Sequence, residues 1–223
     1  MRKDQSATGD LFDGMRTAAW GRQMLGEGAV LLRGFAEGDS VPIFDALQQV
    51  IAAAPFRQMI TPGGHRMSVA MTNCGQTGWV TDLGGYRYDP LDPMSRRQWP
   101  PMPEILRRLA ERAATQAGFT GFEPDSCLIN RYEPGARLSL HQDRNERDFG
   151  QPIVSLSLGL SAIFLFGGLR RDERTQRVRL ESGDVVVWGG SSRLAFHGVA
   201  PLVDGNHPLT GRCRMNLTLR KAL

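Results

Sequence analysis

The second half of the chain consists of short, regularly spaced segments that are typical of β-strands. From Ser126 onward, segments rich in β-branched and aromatic residues alternate with turn residues. In chain order they read SCLINRY, RLSLHQD, PIVSLSLG, SAIFLFG, QRVRLES, DVVVWG, RLAFHGV and MNLTLR. Short strands at this spacing are typical of an antiparallel sandwich or barrel. We therefore expect residues 126–223 to form a β-rich core without an internal repeat or linker.

Two helices are expected before this core. Residues 40–54 predict the first helix, with Ser40 as a candidate N-cap. Residues 103–117 predict the second helix, because Pro103 stands at its start and Gly118 just beyond its end. Helices that flank a strand-rich segment indicate a mainly β fold.

The remaining upstream segments are less regular. Residues 29–35 and 67–73 predict strands, whereas residues 74–103 are rich in Gly, Pro, Tyr and Trp and predict loops and short hairpins. Residues 1–14 are polar and predict a flexible tail. Residues 15–223 are then expected to form a single domain.

Composition favours a soluble protein in a reducing compartment. The three cysteines, Cys74, Cys127 and Cys213, lie far apart and form no CxxC pair, which argues against both a disulfide framework and a structural zinc site. The first residues lack the apolar core of a signal peptide, and no run is long enough to span a membrane. We expect a cytoplasmic protein without a membrane partner.

Charge permits a polyanionic partner but does not establish one. The chain has 27 Lys and Arg against 23 Asp and Glu, a formal net charge of +4. A mildly basic balance is compatible with binding to nucleic acid. Many enzymes that never contact nucleic acid have the same balance.

A candidate metal site lies in the segment LHQD. Side chains two residues apart on a strand point to the same face, so His141 and Asp143 could bind one ion together. His197, in the segment RLAFHGV, is the candidate third ligand. Two imidazoles and one carboxylate form the facial triad of non-haem iron(II) oxygenases, which leaves coordination positions open.

Chance remains an alternative for this pattern. The HxD motif is common in proteins that bind no metal, and the chain contains only 4 histidines. The other two, His65 and His207, lie in stretches that contain Gly or Pro and are expected in loops. Spacing alone therefore leaves both readings open.

The last predicted strand adds an anion site. Arg214, Asn216, Thr218 and Arg220 alternate with apolar residues and share one face. A solvent-facing edge strand would also contain arginines. Guanidinium groups beside a metal would instead suit a small dicarboxylate, which they bind through paired hydrogen bonds.

Other strands contribute polar groups of the same kind. Asn130 and Tyr132 share one face, as do Ser155 and Ser157. Buried polar groups require partners, so an inward mixture of this type is unusual for a dry core. It is typical of a barrel that holds a ligand.

Together these motifs resemble one enzyme family, the AlkB family of iron(II)- and 2-oxoglutarate-dependent dioxygenases. The resemblance covers roughly residues 28–220, and the order of its motifs is more specific than any one of them. The matching segments are TPGG (61–64), MSVAMTNCG (67–75), NRYEPGARLSLHQD (130–143), PIVSLSLGL (152–160), FGG (166–168), GDVVVWGG (183–190), SRLAFHG (192–198) and RMNLTLR (214–220).

The resemblance implies a fold and a set of ligands. The family fold is a double-stranded β-helix, a jelly roll similar to that of cupins, preceded by a nucleotide-recognition lid at residues 55–100. His141, Asp143 and His197 would bind Fe(II). The residues implied for 2-oxoglutarate are Arg214, which takes the distal carboxylate, its helpers Asn130, Tyr132 and Asn216, and Arg220 near the keto acid and the aspartate ligand.

The resemblance also implies residues that bind the substrate. Trp79 would stack on a flipped base opposite His141, although a packed loop anchor is an alternative role for this tryptophan. Tyr86 and Tyr88 would bind the phosphate backbone. The further positions that match lid or pocket residues are Thr61, Met71, Arg171 and Asn145.

Asn145 departs from the family pattern. A bacterial member has an aspartate two residues beyond the metal aspartate, where this chain has Asn145. The loss of that charge predicts a weaker preference for cationic lesions over neutral ones. Glu146 is expected to point to the opposite face if the strand continues.

The implied activity is oxidative repair of N-alkylated bases. Lesions of the 1-methyladenine and 3-methylcytosine type would be dealkylated with Fe(II), 2-oxoglutarate and O2, with release of succinate, CO2 and formaldehyde, and etheno adducts are a further candidate class of lesion. Single-stranded DNA is the expected partner, with RNA or duplex DNA as alternatives, and the enzyme is expected to be a monomer. Two other functions stay open: an oxygenase that acts on a protein or small molecule, and a jelly-roll binding module without activity.

Overall fold

The computed structural model describes residues 21–223, which form two facing β-sheets flanked by two helices. The tail predicted for residues 1–14 lies outside the described residues. The strands are β1 (Arg22–Gly26), β2 (Ala29–Leu32), β3 (Arg57–Ile60), β4 (Arg66–Gly75), β5 (Gly78–Asp82), β6 (Gly85–Asp89), β7 (Ser126–Tyr132), β8 (Leu138–His141), β9 (Ile153–Gly159), β10 (Ala162–Phe166), β11 (Gln176–Leu180), β12 (Val185–Trp188), β13 (His197–Val199) and β14 (Arg214–Arg220). The helices are α1 (Ser40–Ala53) and α2 (Glu104–Ala117).

The larger sheet has eight strands in the order β1-β2-β12-β9-β14-β7-β4-β3, and the smaller has four in the order β11-β10-β13-β8. Every pairing within both sheets is antiparallel. Each of the eight predicted strand segments contains an observed strand, and the predicted jelly-roll fold is confirmed. The predicted strand RLAFHGV is shorter than expected, since only its last residues, His197–Val199, pair.

Alternation along the strands of the large sheet produces two separate apolar layers. On β14, Met215, Leu217 and Leu219 face the helices and join a core that includes Leu106 and Leu109 of α2. The intervening residues of β14 face the smaller sheet and line a cleft between the two sheets. Because one strand faces both layers, burial of its apolar side fixes which side chains enter the cleft.

Apolar side chains close the other end of the space between the sheets. Ile153 and Val186 of the large sheet pack with Phe164 and Val178 of the small sheet and with Trp188. Burial of large apolar and aromatic side chains stabilises each by about 1.5–3 kcal/mol. This second core joins the two sheets beside the cleft, and its residues Phe164 and Trp188 also line the cleft.

The helices follow the prediction with one correction. α2 ends as expected at Gly118, whose φ of 98° lies in the left-handed region that favours glycine. Ser40 does not cap α1: it is the first helical residue, and its hydroxyl donates to the carbonyl of Ala36 at 2.8 Å. The short 3-10 turn Glu37–Asp39 leads directly into α1, so no extended residue precedes the helix to act as a cap.

Residues 55–100 contribute to two different parts of the structure. β4 pairs with β7 and β3 pairs with β4, and together they extend the edge of the large sheet. β5 and β6 form a separate two-stranded antiparallel hairpin, here called the ribbon (residues 78–89). In the described part of the chain, neither helix is long and apolar enough to cross a lipid bilayer.

Candidate metal centre and its cleft

The three predicted metal ligands meet at one point between the sheets. His141 is the last residue of β8 and His197 the first of β13, and the two are direct partners in the small sheet. Asp143 follows β8 in an irregular stretch rather than on the strand itself. One ligand atom from each of the three residues lies within 4.8 Å of the others. Strand pairing therefore brings together groups that are 56 residues apart in sequence.

Backbone carbonyls orient both imidazoles. Nδ1 of His141 lies 2.8 Å from the carbonyl of Ser139, and Nδ1 of His197 lies 3.0 Å from that of Ala195. A carbonyl oxygen can only accept, so each Nδ1 carries the proton and each Nε2 keeps its lone pair. Both Nε2 atoms lie 3.7 Å from the carboxylate of Asp143. This is the arrangement in which neutral histidines bind a metal.

Buried charges keep the ligands in the protonation states that bind a metal. Burial favours the neutral form of Asp143, but Arg220 and then the two histidines outweigh it and hold the pKa of this carboxyl well below its usual range. Burial, followed by the charge of His141, lowers the pKa of His197 to about 4. A neutral imidazole beside an ionised carboxylate matches the donor set of a two-histidine, one-carboxylate iron site. The residues present therefore fit Fe(II).

The triad opens into a large cleft with an anion site. The cleft has a volume of about 1030 Å³ and is lined by the triad, by Arg214 and Arg220, and by residues of the segment 55–100. Arg214 is buried at 1% exposure, and Nη2 donates to Ser157 at 2.9 Å. Its Nε and Nη1 atoms have no hydrogen-bond partner among residues 21–223.

Unsatisfied donors of this kind indicate a missing acceptor. Burial of a guanidinium that keeps unpaired N–H groups costs several kcal/mol. The hydroxyl of Tyr132 and Oδ1 of Asn130 also have no partner within the described residues, and both side chains line the same cleft. A carboxylate would satisfy Arg214 and Tyr132 together, so the residues fit the distal end of 2-oxoglutarate.

Asn216 and Arg220 are already engaged within the protein. The amide of Asn216 donates to Oγ of Ser155 at 2.8 Å and to the carbonyl of Leu156 at 3.0 Å. Arg220 donates to Asp143 from Nε at 3.0 Å and from Nη2 at 2.6 Å. The predicted position of Arg220 beside the aspartate ligand is thus the observed one.

Most of the predicted substrate residues line the cleft, and one does not. The lining contains Thr61, Met71, Trp79, Tyr86, Asn145 and Arg171. Within residues 21–223 the lining does not include Tyr88, whose hydroxyl donates instead to Glu146 at 2.5 Å. The indole of Trp79 stacks on the Tyr86 ring, with centroids 5.7 Å apart.

Sequence reasoning missed two charged residues beside the triad. β8 ends at His141, so the strand does not continue and the condition for placing Glu146 on the opposite face is not met; its side chain is buried. Arg193 is also buried and lies 3.2 Å from Glu146. Their opposite charges gave no signal, because strands β9 to β12 lie between the two residues in the sequence.

Comparison with known proteins gives a consistent result. The family model described as the 2OG-Fe(II) oxygenase superfamily matches residues 28–220. The alpha-ketoglutarate-dependent dioxygenase AlkB of Escherichia coli strain K12 is 56% identical over 201 residues, which is 90% of this chain and 93% of that protein. The nucleic acid dioxygenase ALKBH1 of Mus musculus is 40% identical over 135 residues, 60% of this chain and 34% of that protein.

A solved structure supports the same relationship. The structure of OsALKBH1 matches with a TM-score of 0.78 and 32% identity, over 90% of this chain and 100% of that chain. The family model spans most of the chain, and the E. coli relative is matched along nearly its whole length. The chain therefore belongs to the AlkB family of Fe(II)- and 2-oxoglutarate-dependent dioxygenases within the 2OG-Fe(II) oxygenase superfamily.

Proposed function

We propose that the protein removes alkyl groups oxidatively from N-alkylated bases of the 1-methyladenine and 3-methylcytosine type, with etheno adducts as further substrates. One observation carries this proposal: a single cleft is lined both by the iron triad and by Trp79 and Tyr86 of the ribbon. Aromatic side chains at the open side of a metal cleft suit a planar base. A nucleic acid dioxygenase among the relatives supports the same class of substrate.

His141, Asp143 and His197 would hold Fe(II), and Arg214 with Tyr132 would hold the distal carboxylate of 2-oxoglutarate. When bound, iron with 2-oxoglutarate and O2 supplies the oxidation that turns an N-methyl group into a hydroxymethyl group, which leaves as formaldehyde, with succinate and CO2 as the other products. The protein's own contribution is orientation of the two substrates and exclusion of water.

Three further polar residues of the cleft support the proposed binding of 2-oxoglutarate. Asn216 is held by Ser155 and the backbone, so it presents a fixed polar surface beside Arg214. Asn130 keeps an unpaired acceptor toward the cleft. Arg220, bound to Asp143, would fix the carboxylate ligand near the keto-acid end of the co-substrate.

We assign residues 55–100 to a nucleotide-recognition lid and residues 126–223 to the catalytic core. Trp79 would stack on the flipped base, with Thr61 and Met71 on the adjoining wall of the cleft. Tyr86 and Arg171 are exposed at its rim, where they would contact the phosphate backbone. Flipping costs least in single strands, which favours single-stranded DNA, with RNA and duplex DNA as further substrates.

The decisive test is turnover of defined oligonucleotides. A single-stranded oligomer with one 3-methylcytosine, incubated with Fe(II) and 2-oxoglutarate, is expected to acquire the mass of the unmodified oligomer and to release formaldehyde. Asp143→Ala should abolish both products. Because Asp143 is a buried ligand, circular dichroism of this variant is the control for its folding.

Two alternatives predict different outcomes in the same assay. An oxygenase for proteins or small molecules would form succinate slowly from 2-oxoglutarate alone, without acceleration by the methylated oligomer. A binding module would form no succinate at all. The complete triad and the unsatisfied Arg214 support catalysis over mere binding.

We also propose an oligomeric state and a cellular location for the enzyme. All residues of the site come from one chain, which supports a monomer as the active form. Cys74, Cys127 and Cys213 are all free thiols, which fits a reducing, cytoplasmic location.

A further inference from the structure

Two consecutive residues after the metal ligand Asp143 hold the ribbon. Asn145 accepts a hydrogen bond from Nε1 of Trp79 at 3.1 Å. Glu146 accepts one from the hydroxyl of Tyr88 at 2.5 Å. Trp79 and Tyr88 are direct partners in the ribbon, so their side chains lie on the same face. The chain segment that carries a metal ligand thus also binds both strands of the lid hairpin.

Glu146 is a rigidly held acceptor. Its side chain lies 3.2 Å from Arg193 and 3.4 Å from Arg220, and it is almost completely buried. Arg193 in turn donates to the carbonyls of Gln151 and Asp143, both at 2.9 Å. Arg220 also binds the carboxylate of Asp143, so two arginines and two carboxylates form one balanced, buried cluster. A carboxylate fixed in this way cannot follow the ribbon if the ribbon moves.

The ribbon needs such anchors, because an isolated two-stranded hairpin is only marginally stable. Its two outer ends are held through the backbone. At one end, the side chain of Asn73 accepts from the N–H of Trp79 at 3.0 Å and donates to its carbonyl at 3.1 Å. At the other end, Trp99 donates to the carbonyl of Asp89 at 2.9 Å. These bonds fix where the ribbon starts and ends. They leave its tilt over the cleft to contacts of its side chains.

We propose that Glu146 and Asn145 are positioning residues that set this tilt, and hence the place of the Trp79 indole over the metal centre. Tyr88 is then the anchor of the ribbon and not a phosphate ligand, in contrast to Tyr86. The hydroxyl of Tyr88 is taken by a buried carboxylate, and a second anion at that place would meet like charge. The benefit to substrate binding rests on the proposed function, whereas the anchoring itself does not.

Tyr88→Phe is the informative variant, since removal of Glu146 would leave two arginines unpaired and endanger folding. The measurement is amide hydrogen exchange of residues 78–89 in the metal-free protein without nucleic acid. A hydrogen bond to a charged group predicts roughly tenfold to hundredfold faster exchange in the variant. Tyr86→Phe is the matched control, because Tyr86 is 49% exposed on the same strand, and its exchange should equal that of the wild type.

Affinity for an unmodified single-stranded oligomer is a second way to distinguish the role of Tyr88 from that of Tyr86. Tyr86→Phe is expected to weaken binding and to reduce its salt dependence, as loss of a phosphate contact does. Tyr88→Phe should weaken binding with the salt dependence of the wild type. Unchanged exchange in Tyr88→Phe together with a reduced salt dependence would overturn the proposal and restore Tyr88 as a phosphate ligand.

The Asn145 bond is tested with a neutral substrate. Asn145→Leu removes the acceptor of the Trp79 indole and is expected to raise KM for an etheno-adenine oligomer roughly 2- to 10-fold, more than KM for 2-oxoglutarate. Asn145→Asp keeps an acceptor and should restore the wild-type KM. Equal effects of both variants would contradict a positioning role. Failure of the wild type to act on any oligomer would refute the proposed function, yet the exchange result would stand.

Discussion

The guanidinium of Arg220 donates twice to the carboxylate of Asp143, at 3.0 Å from Nε and at 2.6 Å from Nη2. The same guanidinium lies 3.4 Å from Glu146. One arginine therefore neutralises both the metal ligand Asp143 and the carboxylate that accepts the hydrogen bond of Tyr88. Its pKa is raised further above its usual range, because the two carboxylates and Tyr88 outweigh burial, which alone would lower it.

The first prediction concerns the loss of this arginine. Arg220→Met leaves two buried carboxylates with too little positive charge, and we expect the free energy of unfolding to fall by about 3–5 kcal/mol. Urea denaturation of the metal-free protein measures it. Arg212→Met is the control, because Arg212 and its partner Asp204 are largely exposed and solvent screens their attraction, so its loss should change stability little. Similar losses of unfolding free energy in both variants would contradict the role of Arg220 in neutralising both buried carboxylates.

The second prediction concerns Arg214. Since its Nε and Nη1 atoms lack partners within residues 21–223, Arg214→Met should cost little stability but remove the anion site. Paired charged hydrogen bonds predict an increase of roughly 10- to 100-fold in KM for 2-oxoglutarate. Succinate formation at varied co-substrate concentration measures it, with Arg212→Met again as control. An unchanged KM would place the distal carboxylate elsewhere.

The fold and the polar face of β14 were accessible from sequence because both depend on strand alternation, whereas Asp143 lies beyond the end of β8. Burial of Met215, Leu217 and Leu219 forces the polar residues of β14 into the cleft, and this follows from a period of two. His141 ends β8 and His197 begins β13, and the antiparallel pairing of these two strands brings the two histidines together. Family motifs supplied what alternation left open.

The irregular segments were not accessible in the same way. Glu146 turns inward only because β8 ends at His141, and no local pattern marks that end. Ser40 has the composition of a cap but sits inside a helix that begins directly after a 3-10 turn. In such irregular segments, the direction of a side chain is set by charged residues that are distant in sequence, as Arg193 is from Glu146. A single sequence does not reveal which of these residues lie close together.

The third prediction is a dependence of stability on pH. Burial and the charge of His141 lower the pKa of His197 from 6.5 to about 4. As the pH falls from 6.5 to 4, the unfolded chain takes up a proton that the folded metal-free protein refuses, so folding loses up to about 3 kcal/mol. Below pH 4 both states bind it and this loss ends. Urea denaturation across this pH range should show that the free energy of unfolding declines less steeply in His197→Gln than in the wild type. Parallel declines in the two proteins would contradict the lowered pKa of His197.

The fourth prediction concerns substrate charge. Asn145 is neutral where a carboxylate would attract a cationic base, and its Oδ1 already accepts from Trp79. Asn145→Asp keeps that bond and adds a charge at a partly solvated position, which predicts a gain of roughly 3- to 10-fold for 3-methylcytosine over an etheno adduct. Competition between the two oligomers in one reaction measures the ratio of kcat/KM. A ratio unaffected by the substitution would show that Asn145 does not face the base.

The last prediction concerns the exposed rim of the cleft. Arg171 lines it and is exposed, and its guanidinium has no hydrogen bond or ion pair to lose within residues 21–223 when it approaches a phosphate group. Each phosphate contact releases counterions, so Arg171→Ala should weaken binding to an unmodified single strand and reduce the slope of log affinity against log salt by about 0.7. Fluorescence anisotropy at several salt concentrations measures the slope, and Arg212→Ala serves as an equally exposed control away from the cleft lining. A slope equal to that of the wild type, with weakened affinity at every salt concentration, would instead assign Arg171 to contacts with the base, because neutral contacts release no counterions.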